Sequence, residues 1–430
     1  MLRRQGRARV ESPERPAPAD GDFVGANRVR LLEGGDELFP AMCAAIGRAE
    51  REVFVATYIY DDDPAARRVT DALVAAARRG IAVYVVVDGF GSRPKLAALR
   101  QLLGDAGVRF EVFRPLDHWW AWLQPGQLRR LHQKLCVVDE RIAQVGGVNI
   151  IDDRHDVHHG WSERPRLDFA VEVDGPLARL VHASARALWS RARMGSSWRE
   201  ELRSIAASTE PLEEALSLLR SLRRRPQADE RPAVGARRPV QAAFVTRDNL
   251  GQRRAIERRY VEAMRRSRHA IDLAVPYFYP GQIFRRVLRQ AARRGVRVRL
   301  LLQGKLDYRI AGLAAHALYA ELQAYGVRIY EYTPAFLHAK VAVIDDDWAT
   351  VGSSNIDPLS LLLNLEANVV VRDVAFAREL RARFEVALAE SHEVAASHER
   401  GGGWRALALR WIVAWSANIY LRVAGITGRY

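Results

Sequence analysis

Two matching stretches decide the fold: LHQKLCVVDERIAQVGGVNI at residues 131–150 and LHAKVAVIDDDWATVGSSNI at residues 337–356. Two further pairs of similar stretches occur in the same order, residues 75–89 with 290–304 and residues 106–115 with 325–334. One similar pair could arise by chance, but three collinear pairs indicate that a domain has been duplicated within the chain.

Each copy shows short β-branched and aromatic runs alternating with helical patterns. In the first copy we expect strands at 53–60, 81–87 and 108–113 and helices at 65–79 and 96–103. In the second we expect strands at 271–279, 296–302 and 327–332 and helices at 283–294 and 311–325. Such alternation favours crossover connections, so we predict an α/β fold in which each copy is a largely parallel mixed sheet flanked by helices. Pro276 inside a strand predicts an edge or a bulge there.

Composition narrows the class of protein. The chain has 430 residues and a net charge of +15, and 49% of its residues are hydrophobic. This length fits about two to three domains, and this hydrophobic content excludes wholesale disorder. Two cysteines exclude a disulfide framework and a four-thiolate metal site. The surplus positive charge favours nucleic acid, acidic lipid or phosphorylated substrates as partners. Lysine occurs only at four positions, Lys95, Lys134, Lys305 and Lys340.

The pattern His-x-Lys-x4-Asp occurs at equivalent points of both copies. Its members are His132, Lys134 and Asp139 in the first copy and His338, Lys340 and Asp345 in the second. Residues two apart in a strand point to the same side, so each histidine shares a face with its lysine. The aspartates do not join that face by this parity, and we expect them near the end of the strand.

A hairpin follows each motif. A turn centred on Glu140 and Arg141 would place Asn149 opposite His132 and Gly147 opposite Lys134. A turn centred on Asp346 and Asp347 would likewise place Asn355 opposite His338 and Ser353 opposite Lys340. The sequence therefore predicts a cluster of His, Lys and Asn on one face in each copy.

Imidazole, ammonium and amide groups suit chemistry on a phosphodiester. A neutral histidine can attack phosphorus while a protonated one supplies the leaving alkoxide with its proton. Lysines and asparagines can hold the non-bridging oxygens. No carboxylate cluster points to a metal, and we expect no metal and no cofactor. The alternative, strand residues with satisfied polar side chains, would have to hold in both copies independently.

On these motifs the sequence resembles the phospholipase D superfamily, over residues from about 28 to about 390. Stretches 28–42, 245–249 and 277–281, and above all 345–371, are similar to bacterial cardiolipin synthases of the B type. The resemblance implies two phospholipase D-like domains that are related by a pseudo-twofold axis and form one active site. It also implies the role of each matching residue. The histidines act as nucleophile and acid/base, the lysines with Asn149 and Asn355 bind phosphate, Asp139 and Asp345 complete the motifs, and Glu366 and Asp168 orient the histidines.

The same resemblance implies transfer of a phosphatidyl group from one phosphatidylglycerol to another, with release of glycerol and a phosphatidyl-histidine intermediate. A phospholipase D-type hydrolase and another phosphatidyltransferase remain alternatives, and a nuclease of the superfamily is a more distant one. Which histidine attacks, the range of donors and acceptors, and the oligomeric state stay open. Lys95 and Lys305 have no assigned role.

Two apolar aromatic segments favour an anionic phospholipid membrane as the partner, rather than nucleic acid. Trp119, Trp120 and Trp122 lie just before the first motif, and the tail carries further tryptophans between arginines. Tryptophan and cations are typical of the membrane interface, although packing against the protein would explain either segment. No secretory signal peptide and no uncharged apolar run of about 18 residues is found. We therefore expect a peripheral or monotopic protein at the cytoplasmic face of the cell membrane.

The expected domain boundaries follow from these patterns. Residues 1–25 form a mobile basic extension, 26–220 the first domain, 221–239 an Arg/Pro-rich linker, 240–398 the second domain, and 399–430 the membrane-interfacial tail.

Overall fold

The computed structural model describes residues 21–115, 130–156, 160–207, 239–247, 252–304, 318–357 and 364–395. The tryptophan segment at 119–122, nearly all of the expected linker, Lys305 and the C-terminal tail lie outside these residues. Within the described part of the chain, no helix is both long enough and apolar enough to cross a membrane.

The first half of the chain contains nine described strands and four α-helices within the described ranges. They are β1 (Val24–Glu33), α1 (Gly34–Gly47), β2 (Glu52–Thr57), α2 (Pro64–Arg78), β3 (Ala82–Asp88), α3 (Leu96–Asp105), β4 (Arg109–Phe113), β5 (Lys134–Val138), β6 (Ile142–Gly146), β7 (His155–Asp156), β8 (Gly160–Trp161), β9 (Phe169–Asp174) and α4 (Leu177–Ala207).

The second half repeats this plan. Its elements are β10 (Val240–Arg247), α5 (Ala255–Arg266), β11 (Ala270–Ala274), α6 (Gln282–Arg293), β12 (Arg297–Gln303), β13 (Arg328–Tyr332), β14 (Val341–Ile344), β15 (Trp348–Gly352), β16 (Glu366–Arg372), α7 (Val374–Ala389) and β17 (Ser391–Glu393). Local sequence explains where helices begin. Asp63 caps α2 by accepting from the Ala66 N–H at 2.8 Å, and Asp373 caps α7 by accepting from the Phe376 N–H at 2.8 Å.

The sheet shows the duplication directly. Its strand order is β17-β13-β12-β11-β14-β15-β16-β10-β1-β9-β6-β5-β2-β3-β4, so both halves follow the same order outward from the β1–β10 pair. This confirms the duplicated mixed α/β fold. The expectation of a largely parallel sheet is wrong, because the described parallel pairs are confined to β2–β3–β4 and β11–β12–β13. The hairpin strands and the long return strand of each half pair antiparallel and fill the inner part of the sheet.

The predicted hairpin register is wrong by one residue in both halves. The Arg141 N–H donates to the Val138 carbonyl at 3.0 Å, and Asp139 and Glu140 have positive φ angles of 52° and 58°. The first turn is therefore centred one residue earlier than predicted, and Lys134 lies opposite Gly146. In the second half Val341 lies opposite Val351, so Lys340 faces Gly352 rather than Ser353.

Pro276 also lies elsewhere than predicted. Strand β11 ends at Ala274, before the proline, and it is a central strand between β12 and β14. The expected edge or bulge is wrong, because the chain has already left the sheet where a proline would interrupt the ladder.

A shared core joins the halves. Its buried side chains include Leu31 and Val171 from the first half and Val343 and Val369 from the second, and α4 and α7 contribute to it. Each half has in addition a core of its own on the other side of its sheet. Because the shared core is continuous, the position of one motif relative to the other is fixed.

Candidate active site

Each histidine is held by the backbone of the opposite half. His132 immediately precedes the β5 region, and its N–H donates to the Leu365 carbonyl at 3.0 Å. His338 precedes β14, and its N–H donates to the Leu167 carbonyl at 2.8 Å. The two contacts are equivalent with the halves exchanged, as a pseudo-twofold arrangement requires. They bring the two motifs to one site.

The side chains repeat this exchange. His132 Nδ1 lies 2.9 Å from Glu366 Oε2, and His338 Nδ1 lies 2.5 Å from Asp168 Oδ2. Both carboxylates are fully buried. An ionised carboxylate only accepts, so it fixes the hydrogen on Nδ1 and leaves Nε2 of each ring for the reacting group. Asp168 thus occupies the place in the first half that Glu366 occupies in the second.

Both motif lysines are buried beside the histidines. Lys134 Nζ donates to the His132 carbonyl at 2.8 Å, and Lys340 Nζ donates to the His338 carbonyl. Burial lowers the pKa of Lys134 to about 7 and that of Lys340 to about 8. Asp168 and Glu366 oppose this shift in both lysines, which shows that the cations and carboxylates of both halves form one electrostatic cluster.

The two histidine–carboxylate pairs differ in charge. Burial lowers the pKa of both histidines, and Lys340 and Arg166 add to this for His338, whose pKa lies well below its usual value. Burial raises the pKa of Asp168 to about 6. Burial also acts to raise the pKa of Glu366, but His132 and Lys134 outweigh it and leave the pKa below its usual range. Glu366 is therefore the more firmly ionised of the two carboxylates.

The predicted asparagines are buried at the same edge. Asn149 Oδ1 accepts from the Ile59 N–H at 3.2 Å, whereas Asn355 Oδ1 is buried and has no hydrogen-bond partner among the described residues. Ser353 Oγ donates to Glu366 Oε2 at 2.5 Å and so supports the carboxylate. Gly147 stands at the corresponding point of the first half, where a Cβ would lie 2.3 Å from Asp168 Oδ1.

The structure does not bring Asp139 and Asp345 into this cluster. Asp139 accepts from the N–H groups of residues 50–52, and Asp345 accepts from those of residues 268–270. Both aspartates have positive φ angles at the hairpin turn. They attach the turn to the start of the neighbouring strand, at the opposite end of the hairpin from the histidines.

Sequence reasoning missed several residues around the histidines. The Tyr58 ring lies 5.3 Å from the His132 ring, and Lys134 Nζ lies 5.6 Å from the centre of the same tyrosine ring. Asp88 accepts from the Leu131 N–H at 2.8 Å, and Gln303 accepts from the Leu337 N–H at 2.7 Å. The aligned repeats contained a signal for the latter pair, because both residues end equivalent strands.

Lys95 has a simple structural explanation. Its Nζ lies 2.6 Å from Asp62 Oδ1 and 3.5 Å from Asp61 Oδ1, as a partly exposed ion pair. Two groups with metal-ligand spacing occur among the described residues, Glu52 with Glu140 and His182, and Asp61 with Asp63 and His155. Neither contains a residue of the two motifs.

Comparison with known proteins identifies the family. The model of the cardiolipin synthase, phospholipase D-like domain matches twice, at residues 42–159 and 260–388. Cardiolipin synthase B of Escherichia coli K12 is 37% identical over 357 residues, which cover 83% of this chain and 79% of that protein. Cardiolipin synthase A of Pseudomonas fluorescens Pf-5 is 32% identical over 380 residues, covering 87% of this chain and 71% of that protein.

The fold has solved counterparts. The crystal structure of phosphatidylserine synthase from Haemophilus influenzae Rd KW20 matches with a TM-score of 0.62 and 12% identity, covering 93% of this chain and 95% of that chain. At this identity the likeness shows the fold alone. The duplicated family match and the relatives together confirm the resemblance seen in the two motifs: the chain belongs to the cardiolipin synthase family of phospholipase D-like enzymes.

Proposed function

We propose that this protein is a cardiolipin synthase that transfers a phosphatidyl group from one phosphatidylglycerol to another. Its family membership supports the reaction. The observation that carries the mechanism is the exchange of carboxylates, in which Glu366 orients His132 and Asp168 orients His338 across the two halves. Two oriented imidazoles in one site provide a nucleophile and an acid/base.

In the first step, Nε2 of one histidine attacks the phosphorus of phosphatidylglycerol and forms a P–N bond. The P–O bond to the glycerol headgroup breaks, and the other histidine, which is protonated, gives its proton to the departing oxygen. We assign Lys134, Lys340, Asn149 and Asn355 to the non-bridging oxygens, where ammonium charge and amide N–H groups stabilise the negative charge of the transition state. The products of this step are glycerol and a phosphatidyl-histidine.

In the second step, the histidine that lost its proton accepts one from the terminal hydroxyl of a second phosphatidylglycerol. That oxygen attacks phosphorus, the P–N bond breaks, and cardiolipin leaves. One phosphodiester replaces another, so the reaction consumes no nucleotide. The histidines thereby return to their starting protonation states.

Asp139 and Asp345 have a supporting role in this proposal. Each fixes the turn of a hairpin whose other end carries the reacting groups. We assign Ser353 likewise to the support of Glu366, because its hydroxyl donates to that carboxylate. Their effect on the reaction is through the positions of the histidines and lysines.

Water in place of the second lipid would divert the intermediate to phosphatidic acid, so the acceptor must be supplied where water is scarce. We propose an anionic phospholipid membrane as the partner, contacted through the tryptophan segment at 119–122 and the tail at 399–430. Peripheral or monotopic association at the cytoplasmic face would place the site beside both lipid substrates.

The test is to incubate the purified full-length protein with phosphatidylglycerol in mixed micelles, without nucleotide. Cardiolipin and free glycerol should appear in equal amounts. Phosphatidic acid alone would identify a hydrolase instead. Absence of lipid turnover together with cleavage of DNA would disprove the lipid assignment in favour of a nuclease. The double variant His132→Ala, His338→Ala serves as the blank for contaminating phospholipases.

A further inference from the structure

Four of the large exposed apolar side chains are divided between the halves, two in each. Phe90 follows β3 and Trp161 ends β8 in the first half, while Tyr277 follows β11 and Ile283 lies in the first turn of α6 in the second. Their exposed fractions are 54%, 62%, 48% and 44%. Scattered apolar residues are ordinary on a protein surface, so the position of these four residues is what matters.

The two residues of the first half are connected to the region of His132 through neighbouring side chains. The Arg130 guanidinium lies 5.4 Å from the centre of the Phe90 ring, and Arg130 is only two residues from the histidine. The Trp161 ring stacks on the His155 ring at 5.0 Å, and His155 Nδ1 lies 3.6 Å from Asp61 Oδ2 beyond the end of β2. That end of β2 is where the Tyr58 ring meets His132.

The two residues of the second half occupy the matching edge. Tyr277 precedes Phe278, which forms an isolated bridge with Ile356, the residue after Asn355. The Tyr279 N–H also donates to the Ile356 carbonyl at 2.7 Å, and Ile283 lies in the first turn of α6 just beyond it. These contacts connect all four residues to the segments that carry the histidines and asparagines of the site. We take the surface between them as the mouth of the site, and we call the four residues the apolar rim.

Exposed cations accompany the rim on each side. Arg93 lies three residues after Phe90, and Arg286 lies three residues after Ile283, at helical spacing. Aromatic and aliphatic side chains beside arginines fit an anionic bilayer surface, where the rings enter the headgroup region and the guanidinium groups contact phosphates. A protein seated on the rim would close the mouth, whereas a bilayer there delivers the substrate.

We infer that the apolar rim docks the protein on an anionic bilayer with both histidines facing the lipid headgroups. The inference extends the proposed function, because it states how that site reaches its lipid. The docking surface belongs to the folded domains themselves and acts in addition to the tryptophan segment and the tail.

The test measures binding of the full-length protein to vesicles of equal parts phosphatidylglycerol and phosphatidylcholine, by flotation in a density gradient. In the variant Phe90→Ser, Trp161→Ser, Tyr277→Ser, Ile283→Ser the partition coefficient should fall at least about tenfold, because the variant lacks the four apolar side chains that would move out of water on binding. The matched control is Leu102→Ser, Val374→Ser, which removes exposed side chains of similar accessibility away from the mouth, 54% and 41% exposed. Its partition coefficient should equal that of the wild type.

Unchanged binding of the four-residue variant would overturn the inference, and so would an equal loss in the control. Thermal melting followed by circular dichroism checks the fold of each variant. If the four-residue variant does not fold, the pairs Phe90→Ser, Trp161→Ser and Tyr277→Ser, Ile283→Ser replace it. Each pair should lose roughly threefold in binding, and no loss in either pair overturns the inference. Flotation needs no turnover, so rim-dependent binding without cardiolipin formation would disprove the proposed function alone.

Discussion

The two halves hold their histidines through the same bonds and surround them with different groups. In both, the histidine N–H binds a carbonyl of the other half, and Nδ1 faces a carboxylate of the other half. The carboxylates differ, because Glu366 accepts from Ser353 while Asp168 lies against Gly147. Both halves therefore retain the hydrogen bonds that orient the imidazole, whereas the groups around the two carboxylates differ.

This difference matters because the proposed reaction needs unlike histidines. The pKa of Glu366 lies below its usual range, whereas burial raises the pKa of Asp168 to about 6. Arg166 in addition lowers the pKa of both His338 and Asp168. Two imidazoles with identical surroundings would titrate alike and would compete for one proton. Unequal surroundings let one ring attack while the other carries the proton.

The largest expected effect is common to both halves. His132→Ala and His338→Ala should each lower the rate of cardiolipin formation about 1000-fold or more, because each removes either the nucleophile or the acid/base. Radiolabelled phosphatidylglycerol in mixed micelles gives the rate. Substantial residual transfer in either variant would contradict a site shared between the halves.

Substitution of the two carboxylates should lower kcat by unequal amounts. Glu366→Gln should lower kcat about 100-fold and Asp168→Asn about tenfold, with KM little changed, because the more firmly ionised carboxylate gives its histidine more charge stabilisation. Steady-state kinetics at pH 7 provide both parameters. Equal losses in the two variants would show that the two pairs are electrostatically equivalent.

The pH dependence of kcat/KM should reflect the ionisation of the two motif lysines. With pKa values of about 7 for Lys134 and about 8 for Lys340, the free enzyme loses cationic charge as the pH rises through this range. Because both ammonium groups are needed in their charged form, kcat/KM should fall above about pH 7, by roughly 100-fold or more at pH 9, while kcat falls later because bound phosphate stabilises the ammonium form. A kcat/KM profile that stays flat from pH 7 to 9 would mean that the lysines keep their charge.

Ser353→Gly makes the second half resemble the first. It removes the hydroxyl that donates to Glu366 Oε2, so the rate should fall about threefold and the response to lowered pH should increase. The measurement is kcat between pH 5 and 7, compared with the wild type. No change in either the rate or the pH response would indicate that the hydroxyl is irrelevant to the charge of Glu366.

The smallest effect is expected at Lys95, the contrast to the buried lysines. Its pair with Asp62 is partly exposed, and exposed pairs contribute about 0–1 kcal/mol, so Lys95→Ala should leave transfer unchanged and barely alter thermal stability. A melting curve and the micelle assay together check this. A loss of transfer comparable to that of Lys134→Ala would place Lys95 in the site.

The sequence predicts the arrangement of the motif residues better than the structure around them. The spacing of His132 and Lys134 and its repetition in the second half predict the duplicated fold and which side chains share a face. The predicted register was wrong by one residue because the turn depends on positive φ angles at Asp139 and Glu140, and Asp-Glu is not one of the favoured two-residue hairpin sequences. The sheet was expected to be largely parallel because strands alternate with helices. That alternation holds only for the outer strands of each half, and only those strands pair in parallel.

The contacts between the two halves could not be predicted from local sequence patterns. His132 and Glu366 are 234 residues apart, and no periodicity links them. The matching of Asp168 to an acidic position came from the resemblance, and only the packing of β9 against the other half shows its contact with His338. Long-range pairing of this kind depends on the tertiary arrangement of the shared core.

The exchanged contacts also have a consequence for biosynthesis. A growing chain completes the first motif long before residues 365 and 366 exist, so His132 at that stage lacks both the carbonyl and the carboxylate that orient it. The first half alone therefore lacks the two bonds that hold its histidine. Both bonds can form only once the second half has been made and packs on the first, so a chain that ends before residue 365 has no oriented pair of histidines.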